Sequence, residues 1–312
     1  MANLLVVVQG PSHARWAPAC QTGAARGAAS GVRLQSAADT LLLVQPMLVA
    51  AAQMSSGPDR VKNLEVATRL VHRAAERGAG LVGLPENVAW MGPEKDRPSA
   101  AERLDGPTLT RFAELARELR IHLLAGSILE AGAPGGRVYN TSVLLGPEGQ
   151  HLAVYRKIHL FDAEVGDGVS YRESDTVAPG EAAVTAETPL GTVGLSICYD
   201  LRFPELYRAL SRAGAALLTV PSAFTLMTGK DHWEVLLRAR AIENQAYVLA
   251  PAQGGRHTDQ RVTYGHALVV DPWGLVVARA SDGEGLALAE VDPELLARVR
   301  RNLPALRHRR LG

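Results

Sequence analysis

Cysteine is nearly absent: Cys20 and Cys198 are the only two in 312 residues. That excludes a disulfide framework and any zinc site built mainly from thiolates, and it fits a reducing compartment, the cytoplasm first. Long apolar runs are absent too. None approaches the roughly 20 residues of a membrane helix, so no membrane partner is expected. Neither sign of charge is in excess, with 33 Lys and Arg against 32 Asp and Glu. A nucleic-acid binder usually needs a basic patch or domain, so none is expected. HExxH, the P-loop lysine motif and the GxSxG elbow do not occur. The nine histidines are scattered without metal-ligand spacing. What remains is a chain that is 47% hydrophobic and 21% charged, long enough to bury the core of one large α/β domain or two smaller ones.

Residues 1–46 differ from the rest. After a brief apolar run at Leu4–Val8, the stretch Gln21–Arg33 is rich in Gly, Ala, Ser and Arg, and the first acidic residue is Asp39. This segment reads as a non-catalytic, disordered extension. A transit peptide, which would make the location organellar, and a start codon chosen too far upstream are the alternatives. The pattern becomes regular at Met47, so residues 47–312 are taken as one catalytic domain. Strands are predicted at 48–53, 81–84, 122–129, 137–145, 152–160, 193–197, 216–220, 247–252 and 286–291, with a hairpin over 265–280 around Asp271-Pro-Trp-Gly274. Helices are predicted after Asp59, over 108–120, from Pro204 to Gly214, over 232–244, and after 291. Strands and helices alternate, with several direct strand-to-strand links. That suggests a mixed sheet, or two stacked sheets, flanked by helices.

Two motifs fail on context. Gly78-Ala-Gly80-Leu-Val-Gly83 matches the dinucleotide fingerprint, but its glycines end a helix and enter a strand, the reverse of the required order. Asn140-Thr-Ser142 is a glycosylation sequon inside a predicted strand.

The most informative stretch is Gly191 to Glu205. Cys198 stands where an apolar strand runs out and just before Pro204 opens a helix. Backbone N–H donors and a helix N-terminus there favour a thiolate. A small buried hydrophobe is an equal reading. A nucleophilic thiol needs a proton acceptor, and three charged residues could complete it. Glu86 follows the apolar strand Leu81–Leu84, where burial would raise its proton affinity. An exposed strand-end carboxylate is its bland reading. Lys157 lies inside the predicted strand 152–160 as an oxyanion stabiliser or a snorkelling edge lysine. Glu173 is in a loop before Cys198, and its bland reading is a solvated carboxylate.

Pro85-Glu86, Tyr155-Arg-Lys-Ile-His-Leu-Phe-Asp162 and Gly194–Glu205 together resemble the three signature motifs of the nitrilase superfamily of carbon–nitrogen hydrolases. The resemblance runs from about residue 48 to 310. It implies a four-layer α-β-β-α sandwich with Glu86 as general base, Lys157 as transition-state stabiliser and Cys198 as nucleophile. Glu173 falls on the family's additional glutamate, and the Tyr199 N–H on its oxyanion hole. No cofactor is implied. Pro221–Phe224, His232–Glu243, Gly255–His257, Tyr264–His266 and Val270–Gly274 are similar to the Nit branch, which makes an amide a better substrate than a nitrile. Ser222 and Phe224 are carried over with Tyr199 as substrate-binding candidates. The branch implies an anionic 2-oxo amide, the deaminated form of glutathione, with cysteinylglycine leaving. 2-Oxoglutaramate, releasing ammonia, and a silent binding protein on the same fold are the alternatives. Arg202 is a candidate partner for a substrate carboxylate, against a salt bridge to Glu205 or Asp200. A homodimer or larger homo-oligomer is expected from the family.

Overall fold

The computed structural model describes residues 45–166 and 170–311. The proposed extension, up to residue 44, and with it Cys20, lies outside the described residues. In chain order the first elements are β1 (Met47–Met54), α1 (Arg60–Ala75), β2 (Leu81–Gly83), α2 (Arg97–Ala100), α3 (Pro107–Leu119), β3 (His122–Leu124), β4 (Ile128–Glu130), β5 (Tyr139–Leu145), β6 (His151–Arg156), β7 (Asp162–Glu164) and β8 (Ser170–Arg172). Then follow β9 (Thr185–Thr188), β10 (Gly191–Leu195), α4 (Pro204–Arg212), β11 (Leu217–Thr219), α5 (Leu226–Asn244), β12 (Tyr247–Ala250), β13 (Ala252–Arg256), β14 (Val262–Tyr264), β15 (Leu268–Val270), β16 (Val276–Arg279), β17 (Gly285–Val291) and α6 (Pro293–Asn302).

One sheet runs β14-β13-β1-β2-β3-β5-β4, with β17 also paired to β1 and β6 to β5. A second runs β16-β15-β12-β11-β10-β9, and β7-β8 form a small ribbon. Strand periodicity explains how they stack. On β1, Ala50, Ala52 and Met54 pack with Leu70, Phe112 and Leu115 from α1 and α3. Val49 and Ala51 point the other way, into one apolar cluster with Val193, Leu195, Leu217 and Leu218 of the second sheet. Beyond that sheet the cluster takes in Leu206 and Leu210 of α4 and Trp233 and Leu237 of α5. Both sheets are therefore apolar on two faces, and the result is the α-β-β-α sandwich. Helix α1 starts where expected because the Asp59 side chain accepts from the Lys62 N–H at 3.1 Å. It ends before Gly78, whose φ is +86°.

Three predicted strands differ from the observed ones. The expected 122–129 strand is two, β3 and β4, parted at Gly126. There φ is +64°, and an added Cβ would stand 2.0 Å from the Pro85 carbonyl oxygen. The expected 247–252 strand breaks at Pro251, which cannot donate to a ladder, so β12 enters one sheet and β13 the other. The 152–160 strand stops at Arg156, which leaves Lys157 one residue beyond it. Helix α5 begins six residues before His232, at Leu226. Among the described residues no helix is long and apolar enough to cross a membrane.

Candidate active site

Four strand ends converge on one cleft. Glu86 comes three residues after β2, Lys157 directly after β6, Glu173 directly after β8, and Cys198 three residues after β10. All four are buried, with Glu86 and Lys157 each only 2% exposed. A lysine this deep needs anionic partners, and it has two. Its Nζ lies 3.0 Å from Glu86 Oε1 and 2.8 Å from Glu173 Oε2. The snorkelling reading is thereby ruled out. The remaining acceptors on the two carboxylates are also used. Ala223 N–H donates to Glu86 Oε2 at 2.9 Å, and Phe161 N–H to Glu173 Oε2 at 2.7 Å. The Asn140 Nδ2 donates to Glu86 Oε1 at 2.9 Å and to Glu173 Oε1 at 3.3 Å. Asn140, met in the sequence only as a sequon, is thus a bridge between the two glutamates. Its signal was a polar Asn-Thr-Ser run leading into the apolar Val143-Leu-Leu145 of a strand, and all three polar residues are buried.

The electrostatics follow from this geometry. Burial opposes charge on Lys157, but the Glu173 and Glu86 carboxylates hold it protonated, well above the ordinary lysine value. Burial alone pushes Glu173 up, yet Lys157 and Arg97 hold its carboxyl down at about 2. Cys198 behaves otherwise than expected. Burial first, and then the facing Glu86 carboxylate, push its thiol far above the ordinary cysteine range, while Lys157 and the Ala223 N–H only partly offset them. The resting group is a thiol hydrogen-bonded to Glu86, not a dipole-stabilised thiolate. The helix that was to supply the dipole starts at Pro204, and a separate turn, Cys198–Arg202, intervenes.

That turn holds Cys198 at φ +47°, a left-handed conformation uncommon outside glycine and asparagine. Asp200, fully buried, braces it. One carboxylate oxygen accepts from Ile197 N–H at 2.9 Å and Tyr155 O–H at 2.7 Å. The other accepts from His159 N–H at 3.0 Å and meets His159 Nδ1 at 2.7 Å. Asp200 therefore ties the cysteine turn to the segment that carries Lys157, a link the sequence reading missed. The Tyr199 N–H, in the first turn where helical donors are free, has no acceptor among the described residues.

The cleft, about 370 Å³ including space open to solvent, is lined by Glu86, Lys157, Glu173 and Cys198 together with Tyr199, Arg202 and Phe224. Arg202 pairs with neither Glu205 nor Asp200. Its guanidinium lies 5.3 Å from the Phe224 ring centre and 5.8 Å from that of Tyr199. Ser222 is a correction. It is fully buried, its hydroxyl donates to the Val220 carbonyl at 3.0 Å, and it does not line the cleft. Three charged lining residues were not anticipated, Glu94, Arg97 and Arg261, and neither were Thr225 and Thr228. Among the described residues no cluster of His, Cys, Asp and Glu has the makings of a metal site.

Residues 48–301 match the carbon–nitrogen hydrolase family profile. A Synechocystis protein named deaminated glutathione amidase is 48% identical over 269 residues, 85% of this chain and 99% of that one. A human omega-amidase is 39% identical over 262 residues, 84% of this chain and 94% of that one. The crystal structure of Saccharomyces cerevisiae Nit3, a nitrilase-superfamily member, superimposes with a TM-score of 0.78 at 35% identity, over 86% of this chain and 97% of that one. On the family profile, these relatives and the shared fold, the chain belongs to the carbon–nitrogen hydrolase family and is a hydrolase of amide C–N bonds.

Proposed function

We propose that the protein is a cysteine-dependent amidase that cleaves deaminated glutathione to 2-oxoglutarate and cysteinylglycine. The observation that carries this reading is one buried ammonium touching two carboxylates, with a thiol on the first of them, at the base of a cleft with arginines in its walls. Relatives of that name at 45–48% identity support the substrate.

In the proposed cycle Glu86 takes the Cys198 proton as sulfur bonds to the amide carbonyl carbon. Because the thiol is held in its neutral form, this transfer must accompany attack. The Lys157 ammonium and the Tyr199 N–H stabilise the oxyanion. The C–N bond then breaks, and the leaving amine takes the proton from Glu86. Water attacks the thioester carbonyl while Glu86 accepts its proton. The C–S bond breaks and the proton returns to sulfur. Glu173 anchors Lys157, and Phe224 and Arg202 contact the acyl group.

The 39% identity to an omega-amidase favours 2-oxoglutaramate as the second substrate to test. Purified protein incubated with each compound, with 2-oxoglutarate, ammonia and cysteinylglycine measured separately, decides. Faster release of cysteinylglycine supports the reading; turnover of simple aliphatic amides alone overturns it. A reducing compartment such as the cytoplasm and assembly as a homodimer or larger belong to the same proposal, and light scattering on eluted protein tests the assembly.

A further inference from the structure

The cationic wall of the cleft is built in a way that the cycle above does not use. Arg261 sits in the loop joining β13 to β14. That loop is fixed at both ends: His257 N–H donates to the Arg261 carbonyl at 2.9 Å, and Arg261 N–H to Thr258 Oγ1 at 3.1 Å. The buried His257 ring is clamped between the Ser56 carbonyl at 2.7 Å and Thr263 Oγ1 at 2.6 Å. The Arg261 side chain is 14% exposed. Its Nη1 donates to Glu94 Oε1 at 3.0 Å, and the same oxygen takes Arg97 Nη2 at 2.7 Å. Two guanidinium groups thus share one carboxylate oxygen, so the trio keeps a net positive charge. Arg97 spends its Nη1 on Thr176 at 3.1 Å. Arg261 Nε, by contrast, is buried with no partner among the described residues. A buried donor on a charged group needs an acceptor, and Nε with Nη2 forms the fork that matches a carboxylate with two parallel bonds.

We propose that the Nε–Nη2 edge of Arg261 is a carboxylate subsite, and that it takes the carboxylate of the leaving amine. The assignment of ends rests on the proposed substrate and on topology. Arg202 lies on the same turn as Cys198, the atom to which the acyl group becomes bonded, so it is placed for the acyl-side carboxylate. Arg261 reaches the cleft from a separate loop. Among the described residues each lacks a full carboxylate counter-charge, and deaminated glutathione carries one carboxylate on each side of its scissile amide. 2-Oxoglutaramate carries only the acyl-side one. Arg261 is then the residue that makes the dipeptide amide a better substrate than the simple amide.

The test compares R261Q and R261K with the parent on both compounds. In R261Q, kcat/KM for deaminated glutathione falls ~10–100-fold, mostly through KM, as loss of a charge-assisted bidentate contact should give, while 2-oxoglutaramate changes by less than about twofold. R261K recovers part of the loss. An equal loss on both compounds, or none on either, overturns the subsite. If the parent hydrolyses neither compound, it is the proposed function that fails, and calorimetry on Cys198→Ala then decides the subsite alone. There, deaminated glutathione must bind more tightly than 2-oxoglutaramate, and R261Q must abolish the difference; equal binding overturns the subsite.

Discussion

Replacing Glu173 by Gln keeps the shape of the side chain and the acceptor for Phe161 N–H but removes the charge facing Lys157 and Arg97. The carboxyl is held at about 2 in the folded protein, against 4.5 ordinarily. A depressed carboxylate pKa contributes stability that is fully present above the unfolded value and is lost as pH falls towards the folded one. The shift corresponds to about 3 kcal/mol at pH 7, and roughly half of that remains at pH 3. At pH 7 this is a drop in Tm of roughly 6–12 °C for a domain of this size. Urea unfolding of the parent and E173Q at pH 7, 5, 4 and 3 reads the difference directly. It must be largest at neutral pH and shrink below about pH 4.5. A gap of similar size at every pH would show that packing was lost, not an ion pair. No gap at pH 7 would refute the claim that Glu173 is held as a buried carboxylate by Lys157.

Further outcomes follow from the same geometry. Because the Glu86 carboxylate raises the thiol pKa, E86Q lowers the thiolate titration point followed by ultraviolet absorbance, while turnover falls at least ~100-fold for want of a proton acceptor. A rise in the titration point would contradict the electrostatic account. Gly126→Ala forces a methyl against the Pro85 and Leu84 carbonyls, and so costs at least about 2 kcal/mol and lowers kcat by displacing Glu86. Unchanged kcat and Tm would show that the backbone there can yield. Ser222→Ala costs ~1 kcal/mol of stability through the lost bond to Val220 and leaves KM unchanged, whereas Phe224→Ala raises KM. A raised KM in S222A would return that residue to the site.

The layers were legible because β-branched and apolar strand segments such as Val193–Ile197 and Leu217–Val220 are buried on both faces, and because Asp59, Pro204 and Gly78 mark helix ends by local chemistry. The breaks at Gly126 and Pro251 were not. In each case the backbone is set by a tertiary partner, the Pro85 carbonyl for one and a change of sheet for the other, that no local period reports. In the site, motif resemblance brought Glu86, Lys157, Glu173 and Cys198 together, and the coordinates place them in contact. Ser222 was carried by the same resemblance, and its hydroxyl turns to the Val220 carbonyl. Asn140 showed only as a polar run in a strand, and Asp200 and Arg261 carried no such signal, since their braces reach residues 41 to 167 positions away. Of the two readings left open for Cys198, the buried thiol fits the structure better, because a strand-to-helix junction reports neither the depth of burial nor a carboxylate arriving from another strand.

The proposed cycle passes through a Cys198 acyl-enzyme. Intact-mass spectrometry of the parent, acid-quenched within milliseconds of mixing with deaminated glutathione, should show an adduct of one 2-oxoglutaryl group that maps to Cys198 and decays at the turnover rate. Cys198→Ala should show no adduct and no turnover, and hydrolysis by that variant at the parent's rate would contradict the account.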